Sequence, residues 1–258
     1  MPVKNAVEQP STSGGTEAAD RVADVLLLFS QAEAPLGVSH IARSLGLSKA
    51  VVHRILQSLS SRGLLSTTDA SGTYSLGPAA IGMGNRAWSQ LDFRTVAAPV
   101  LRQLRDATRE TITLSVLANH SRVYLDQFES PQEIKMVVDI GVRHALHSGA
   151  SSRAMVAFLP EVYVQEAAAE LARLKPDFNE ESYREQLAGV RVNGYATSFN
   201  ERNIGAASVA CPFFDRAGNV LGAISCCGPI FRFTEREIAT HATKVLAAAR
   251  QITDLLAR

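Results

Sequence analysis

The sequence predicts an α+β chain in two parts, a small helical unit closed by a β-hairpin and a larger unit built on a mostly antiparallel sheet. Three observations predict it. The first third holds three short stretches with helical spacing followed by two strand candidates. The remainder runs strands, then helices, then strands. At 258 residues, and roughly 150 residues per domain, there is chain for one large and one small unit. The expected limits are a disordered lead over 1–15, a helical unit over 16–77, a linker helix over 78–91 and the sheet unit over 92–258.

Composition supports a buried core and excludes other classes. With 46% hydrophobic, 20% charged and 6% aromatic residues, the chain is neither disordered nor fibrous. No apolar run approaches the ~18 residues that cross a bilayer, and Met1 to Gly15 is polar, so no membrane partner is expected. The cysteines Cys211, Cys226 and Cys227 are odd in number and two are adjacent, which gives neither a disulfide framework nor a structural zinc site. A reducing cytoplasm, with no metal and no cofactor, is the expectation.

A net charge of +1 hides an asymmetry. From Ala34 to Thr68 the basic residues are Arg43, Lys49, Arg54 and Arg62, with no acidic one, so 22 basic residues face 25 acidic ones elsewhere. A cationic segment on a mildly acidic body points to one surface that meets a polyanion.

That segment has its own order. Val22, Val25, Leu26 and Phe29 line one face of a first helix, which should stop between Gln31 and Gly37. A second helix should run from Ser39, as N-cap, to Leu45, with Gly46 beyond its end. The turn Gly46-Leu47-Ser48 then leads into a third helix, capped by Ser48 and stopped near Arg62 and Gly63. On its wheel Val52, Ile55, Leu56 and Leu59 cluster inward, while Ala50, His53, Arg54, Gln57 and Ser61 face out. An outward face with long donors and no carboxylate suits a groove lined with phosphates and base edges. Lys49 can reach a phosphate beside the helix N-terminus. The strand candidates Leu64 to Ser66 and Thr73 to Leu76 flank a turn over Thr67 to Gly72, so a wing follows the third helix. This is the pattern of a winged helix-turn-helix.

Arg21 to Leu26, Ile41 to Lys49, Val52 to Leu56, Arg62 to Leu65 and Tyr74 to Gly77 resemble the IclR family of bacterial transcriptional regulators. The likeness continues through Gly141-Val142-Arg143, Leu146-His147, Asn193 to Ala196 and Cys211-Pro212 to Gly228-Pro229. It implies a GAF-like effector domain after the linker helix, DNA with a pseudo-palindromic operator as partner, a small-molecule effector, and a homo-oligomer, dimer or tetramer. For DNA it points to Ser48, Lys49, Ala50, Val51, His53, Arg54, Gln57 and Thr73. The family has a Ser-Thr pair where Ala50-Val51 stand here, so a thymine methyl becomes a possible contact. For the effector it points to Ala150, Ser151, Ser198, Ser208, Ser225 and Cys227. Alternation independently sets Ser225 and Cys227 on one strand face. Where the family has Gly-Lys, this chain has Ser152-Arg153. Hydroxyls, a thiol and a helix N-terminus would suit a small organic acid.

In the larger part, strands are expected at Thr111 to Val116, Arg122 to Phe128, Ile134 to Asp139, Ala206 to Phe214 and Val220 to Cys227, the last two joined by the turn Asp215 to Asn219. Helices are expected at Phe93 to Thr108, Ser151 to Leu159, Glu161 to Leu174 and Glu180 to Val190. Thr234-Glu235-Arg236-Glu237 is a capping box for a last helix through Leu256. Enzyme signatures are missing: there is no nucleophile elbow, Walker loop, dinucleotide fingerprint or zinc-protease helix. Cys211 before Pro212 reads as a packing cysteine and His147 as a structural histidine. The expectation is a regulator, a repressor of a catabolic operon relieved by a carboxylic or aromatic acid; an activator and a thiol enzyme using Cys211 or Cys227 are the alternatives.

Overall fold

The computed structural model describes residues 16–30, 32, 34–68, 72–89 and 92–257, so the lead over 1–15 and the tip of the wing lie outside the described residues. The chain divides into two compact units, Met1–Trp88 and Ser89–Arg258.

The first unit contains α1 (Glu17–Ser30), β1 (Leu36–Gly37), α2 (Val38–Leu45), α3 (Lys49–Ser60), β2 (Leu65–Thr68), β3 (Thr73–Leu76) and α4 (Pro78–Ser89). Helix α2 begins at Val38, one residue earlier than expected, with Gly37 at its N-cap, and Ser39 lies inside its first turn rather than capping it. Gly46 ends α2 at φ 65°, a left-handed conformation open to glycine, and its N–H returns to the Ala42 carbonyl. Ser48 then caps α3, its Oγ accepting the Val51 N–H at 3.3 Å. Val25, Ile41, Val52 and Leu56 are wholly buried and join Phe29, Leu59, Leu65 and Tyr74 in one core. Tyr74 thus packs beneath the wing, whose strands run in the order β1-β3-β2. Past the wing, Gly77 crosses the chain so closely that a Cβ would stand 2.3 Å from the Gly63 carbonyl oxygen.

The second unit contains α5 (Asp92–Thr108), β4 (Thr111–Ala118), β5 (Ser121–Phe128), β6 (Arg143–Ala145), α6 (Ala150–Val156), α7 (Glu161–Leu174), α8 (Glu180–Asn193), β7 (Ala196–Phe199), β8 (Ala206–Phe214), β9 (Val220–Pro229) and α9 (Glu235–Leu256). Its six-stranded sheet has the order β6-β5-β4-β9-β8-β7, and every pairing is antiparallel. Helices α5 and α9 pack together and against the sheet, while α6 packs on β7, β8 and β9. The α6 side joins Ala154, Met155, Val164, Leu171 and Leu187 to Ala210 and Ala223 of the sheet in one apolar cluster. Thr234 caps α9 through the Glu237 N–H, as its capping box predicts.

The expected strand at Ile134 to Asp139 does not form. Side chains take the place of a ladder there. Thr111 Oγ1 donates to the Met136 carbonyl at 2.7 Å, and the Gln127 amide accepts the Val138 N–H and donates to its carbonyl, both at 2.9 Å. With three of its backbone groups satisfied this way, the segment runs as a strap in which Met136 and Val138 are half-buried while Val137 and Asp139 are exposed. The strand beside β5 is instead β6, and β7 is an edge strand that the sequence pattern had not marked.

Candidate functional site

Two arrangements of polar side chains stand apart, one in each unit.

In the first, α3 buries Val52, Ile55, Leu56 and Leu59 and leaves Lys49, Ala50, His53, Arg54 and Gln57 exposed. Helical periodicity puts His53, Arg54 and Gln57 on one side, and the turn from α2 holds α3 at a fixed start. Ser48 is exposed but committed to its cap, and Val51 packs in part against the core. Thr73 opens β3, paired with Gly37 on one side and Thr68 on the other. Arg62 turns back on α3, its Nη1 donating to the Ser58 carbonyl at 2.8 Å. The expected face therefore exists as a row of exposed donors and cations with no carboxylate on the helix.

In the second unit, all six of Ala150, Ser151, Ser198, Ser208, Ser225 and Cys227 line one small cavity of about 60 Å³. Strand registry explains the convergence: Ser198 pairs with Ser208, Ser208 with Cys227, and Ser225 stands two residues from Cys227 on the same face. The space matches roughly four water molecules, so it favours a compact ligand.

Sequence reasoning missed the charged residues of this cavity, Arg122, Glu201 and Arg202. Arg122 is 1% exposed, and its Nε donates to Ser152 Oγ at 2.9 Å. Its Nη1 has no hydrogen-bond partner. Its guanidinium carbon stands 4.5 Å from the Tyr124 ring centre. Burial pulls its pKa down, and the nearby Arg202 adds to that. Arg202, exposed at the rim, donates to Tyr124 Oη at 2.7 Å and to His144 Nδ1 at 3.0 Å. Burial, then the cations Arg202 and Arg122, push His144 down to about 4, so at neutral pH its ring is uncharged and can accept that bond. The alternation of Arg122 and Tyr124 in β5 was the available signal.

Glu201 is the cavity's carboxylate, and it is already engaged. It accepts the Gly149 N–H at 2.9 Å and Arg153 Nη1 at 2.8 Å. Burial raises its carboxyl, but the Arg153 guanidinium more than offsets this and leaves the pKa below the usual carboxylate range. The N-terminus of α6, expected to hold a ligand acid, therefore spends the Gly149 N–H on the chain's own side chain, and α6 is only seven residues long.

The thiols are poorly placed for chemistry. Burial pushes Cys211 and Cys227 up to about 12, and Cys227 Sγ donates to the Thr111 carbonyl at 3.5 Å. Cys226, wholly buried, is pushed up as well. His147 is half-buried with an unpartnered Nδ1, and among the described residues no group of three or more His, Cys, Asp or Glu could hold a metal.

Comparison with known proteins matches this architecture on both units. The profile of the IclR helix-turn-helix domain covers residues 18–69, and that of the bacterial transcriptional regulator IclR C-terminal domain covers residues 85–254. The chain belongs to the IclR family. It is 30% identical to the transcriptional regulator BhcR of Paracoccus denitrificans, over 93% of this chain and 87% of that one. It is 31% identical to the glycerol operon regulatory protein of Streptomyces griseus, over 93% and 94%. An IclR homolog from Microbacterium hydrocarbonoxydans, solved with 4-hydroxybenzoate, shares its fold at a TM-score of 0.74 and 23% identity, over 93% and 98% of the two chains. As an IclR-family protein the chain is a DNA-binding transcriptional regulator; its family and relatives are regulators rather than enzymes. Among the described residues no helix is long and apolar enough to cross a membrane.

Proposed function

We propose that this IclR-family regulator represses a catabolic operon and is released from its operator by a small organic acid. One observation carries the ligand half of that reading: Arg122 is buried in the cavity with a donor left unpaired. A buried cation without a counter-charge is costly, and a bound carboxylate offsets that cost through charge-assisted hydrogen bonds. Ala150, Ser151, Ser198, Ser208, Ser225 and Cys227 supply the remaining walls and donors. The relative that regulates a glycerol operon and the fold neighbour that holds 4-hydroxybenzoate support a catabolic setting and an acid ligand.

On DNA, α3 enters the major groove. Arg54, His53 and Gln57 read base edges, Ala50 or Val51 meets a thymine methyl, Lys49 and Ser48 hold phosphates, and Thr73 on the wing meets the backbone. The operator is pseudo-palindromic and read by a homo-oligomer, a dimer or a tetramer, with half-sites about 34–36 Å apart or a multiple of that.

Selection of bound sequences from a random duplex library by the full chain, followed by titration of small acids against the selected duplex, tests the reading. It predicts paired half-sites and weaker binding with acid, a coupling of about 1–3 kcal/mol. Tighter binding with acid would exclude release by the ligand, and no sequence preference would overturn the reading altogether.

A further inference from the structure

The cavity carries more positive charge than one carboxylate would balance. Among the described residues neither Arg122 nor Arg202 makes a salt bridge. Arg122 bonds to the Ser152 hydroxyl, and Arg202 bonds to the Tyr124 hydroxyl and to His144, all neutral groups. Both guanidinium carbons lie within 5.6 Å of the same Tyr124 ring centre, so the two cations flank one small volume. Gly149 sits between them: a Cβ there would meet Arg202 Cδ at 3.3 Å and Arg122 Nη2 at 3.9 Å. Glu201 cannot serve as their counter-ion while Arg153 and the Gly149 N–H hold both of its oxygens.

We infer that the ligand of this cavity is a compact dicarboxylate, one carboxylate on the buried Arg122 and the other on Arg202 at the rim. The inference rests on the regulator reading above and narrows its ligand. Each guanidinium offers a planar fork that matches a carboxylate. Ser198, Ser208, Ser225 and Cys227 line the same cavity, a lining that suits a short or hydroxyl-bearing carbon skeleton. Ser152 and Tyr124 hold the inner and outer cation at fixed places, so the spacing between the two carboxylates is a specificity determinant. A monoacid fills only one fork and leaves a cation uncompensated.

Calorimetric titration of the full chain with matched pairs tests this: malonate against propionate, succinate against butyrate, phthalate against benzoate, with inorganic phosphate as a further probe. The expected result is that the best dicarboxylate binds about ten-fold tighter than its monoacid partner. Arg202→Gln, at an exposed position, should collapse that ratio by lowering the dicarboxylate affinity toward that of its monoacid partner. Monoacids that bind as tightly as their partners, phosphate that binds tighter than every dicarboxylate, a ratio unchanged by Arg202→Gln, or no binding by any of the probes would each overturn the inference. Operator binding measured on the same samples separates the two readings. A protein released from DNA by monoacids and dicarboxylates alike remains a ligand-responsive regulator with a different ligand, whereas one that binds no operator loses both.

Discussion

Ser152 Oγ stands 2.9 Å from Arg122 Nε and 3.4 Å from the Ala145 carbonyl oxygen, to which it donates. A hydroxyl at the third position of α6 thus orients a guanidinium on β5, across the cavity wall. The side chain that departs from the family's glycine at this place is the one that fixes the buried cation.

Ser152→Ala is expected to leave the buried Arg122 Nε without its protein partner. Leaving a charged donor unsatisfied costs about 1.5–3 kcal/mol. Urea unfolding of the ligand-free protein measures it, and an unchanged midpoint would show that the bond contributes nothing.

His144 gives the unit a defined acid sensitivity. Its folded pKa of about 4 lies below the ordinary imidazole value of 6.5, so the unfolded chain binds the proton more readily. This contribution to stability is complete above about 6.5 and falls away as the pH drops toward 4. A nearby carboxylate ligand opposes Arg202 and Arg122 and should raise the titration point. An NMR titration of the His144 ring with and without a bound acid reads both the low value and the upward shift.

Gly77 marks the most constrained point of the first unit. Its N–H donates to the Leu64 carbonyl at 2.8 Å, and a Cβ would collide with the Gly63 backbone at 2.3 Å. Gly77→Ala should therefore destabilise the wing by about 1–3 kcal/mol, read by thermal unfolding and by loss of operator affinity. Gly46→Ala, with open space around its Cβ but φ at 65°, is expected to cost less, about 1 kcal/mol.

The parts of the fold that were legible in the sequence are those set by local chemistry. Ser48 before α3, Gly46 after α2, the capping box at Thr234 and the Asp215 to Asn219 turn each satisfy backbone groups within a few residues, so their signals survive in a short window. The alternation that places Ser225 with Cys227 was likewise readable, and the cavity collects both. What escaped depends on distant partners. The strap at Ile134 to Asp139 has a strand's composition, yet Thr111 and Gln127 satisfy its backbone from other elements. Edge strand β7 is four residues long and takes its place from β8. Arg122 sits in a strand whose arginine would ordinarily face water; only the meeting of β5, β6 and α6 buries it. Glu201 and Arg202 lie in a loop whose position no periodicity encodes.

In the proposed complex the exposed cationic side of α3 lies against duplex DNA. The most direct test is the affinity of the full chain for its selected operator measured against salt, for the native protein, Lys49→Ala and Arg54→Ala. If Lys49 neutralises one phosphate, its removal lowers the slope of log K against log[salt] by about 0.9 for every sequence tested. If Arg54 reads a base, its removal costs about 1–3 kcal/mol on the operator and relaxes sequence preference. Affinity and slope identical to the native protein in both variants would exclude that placement of α3.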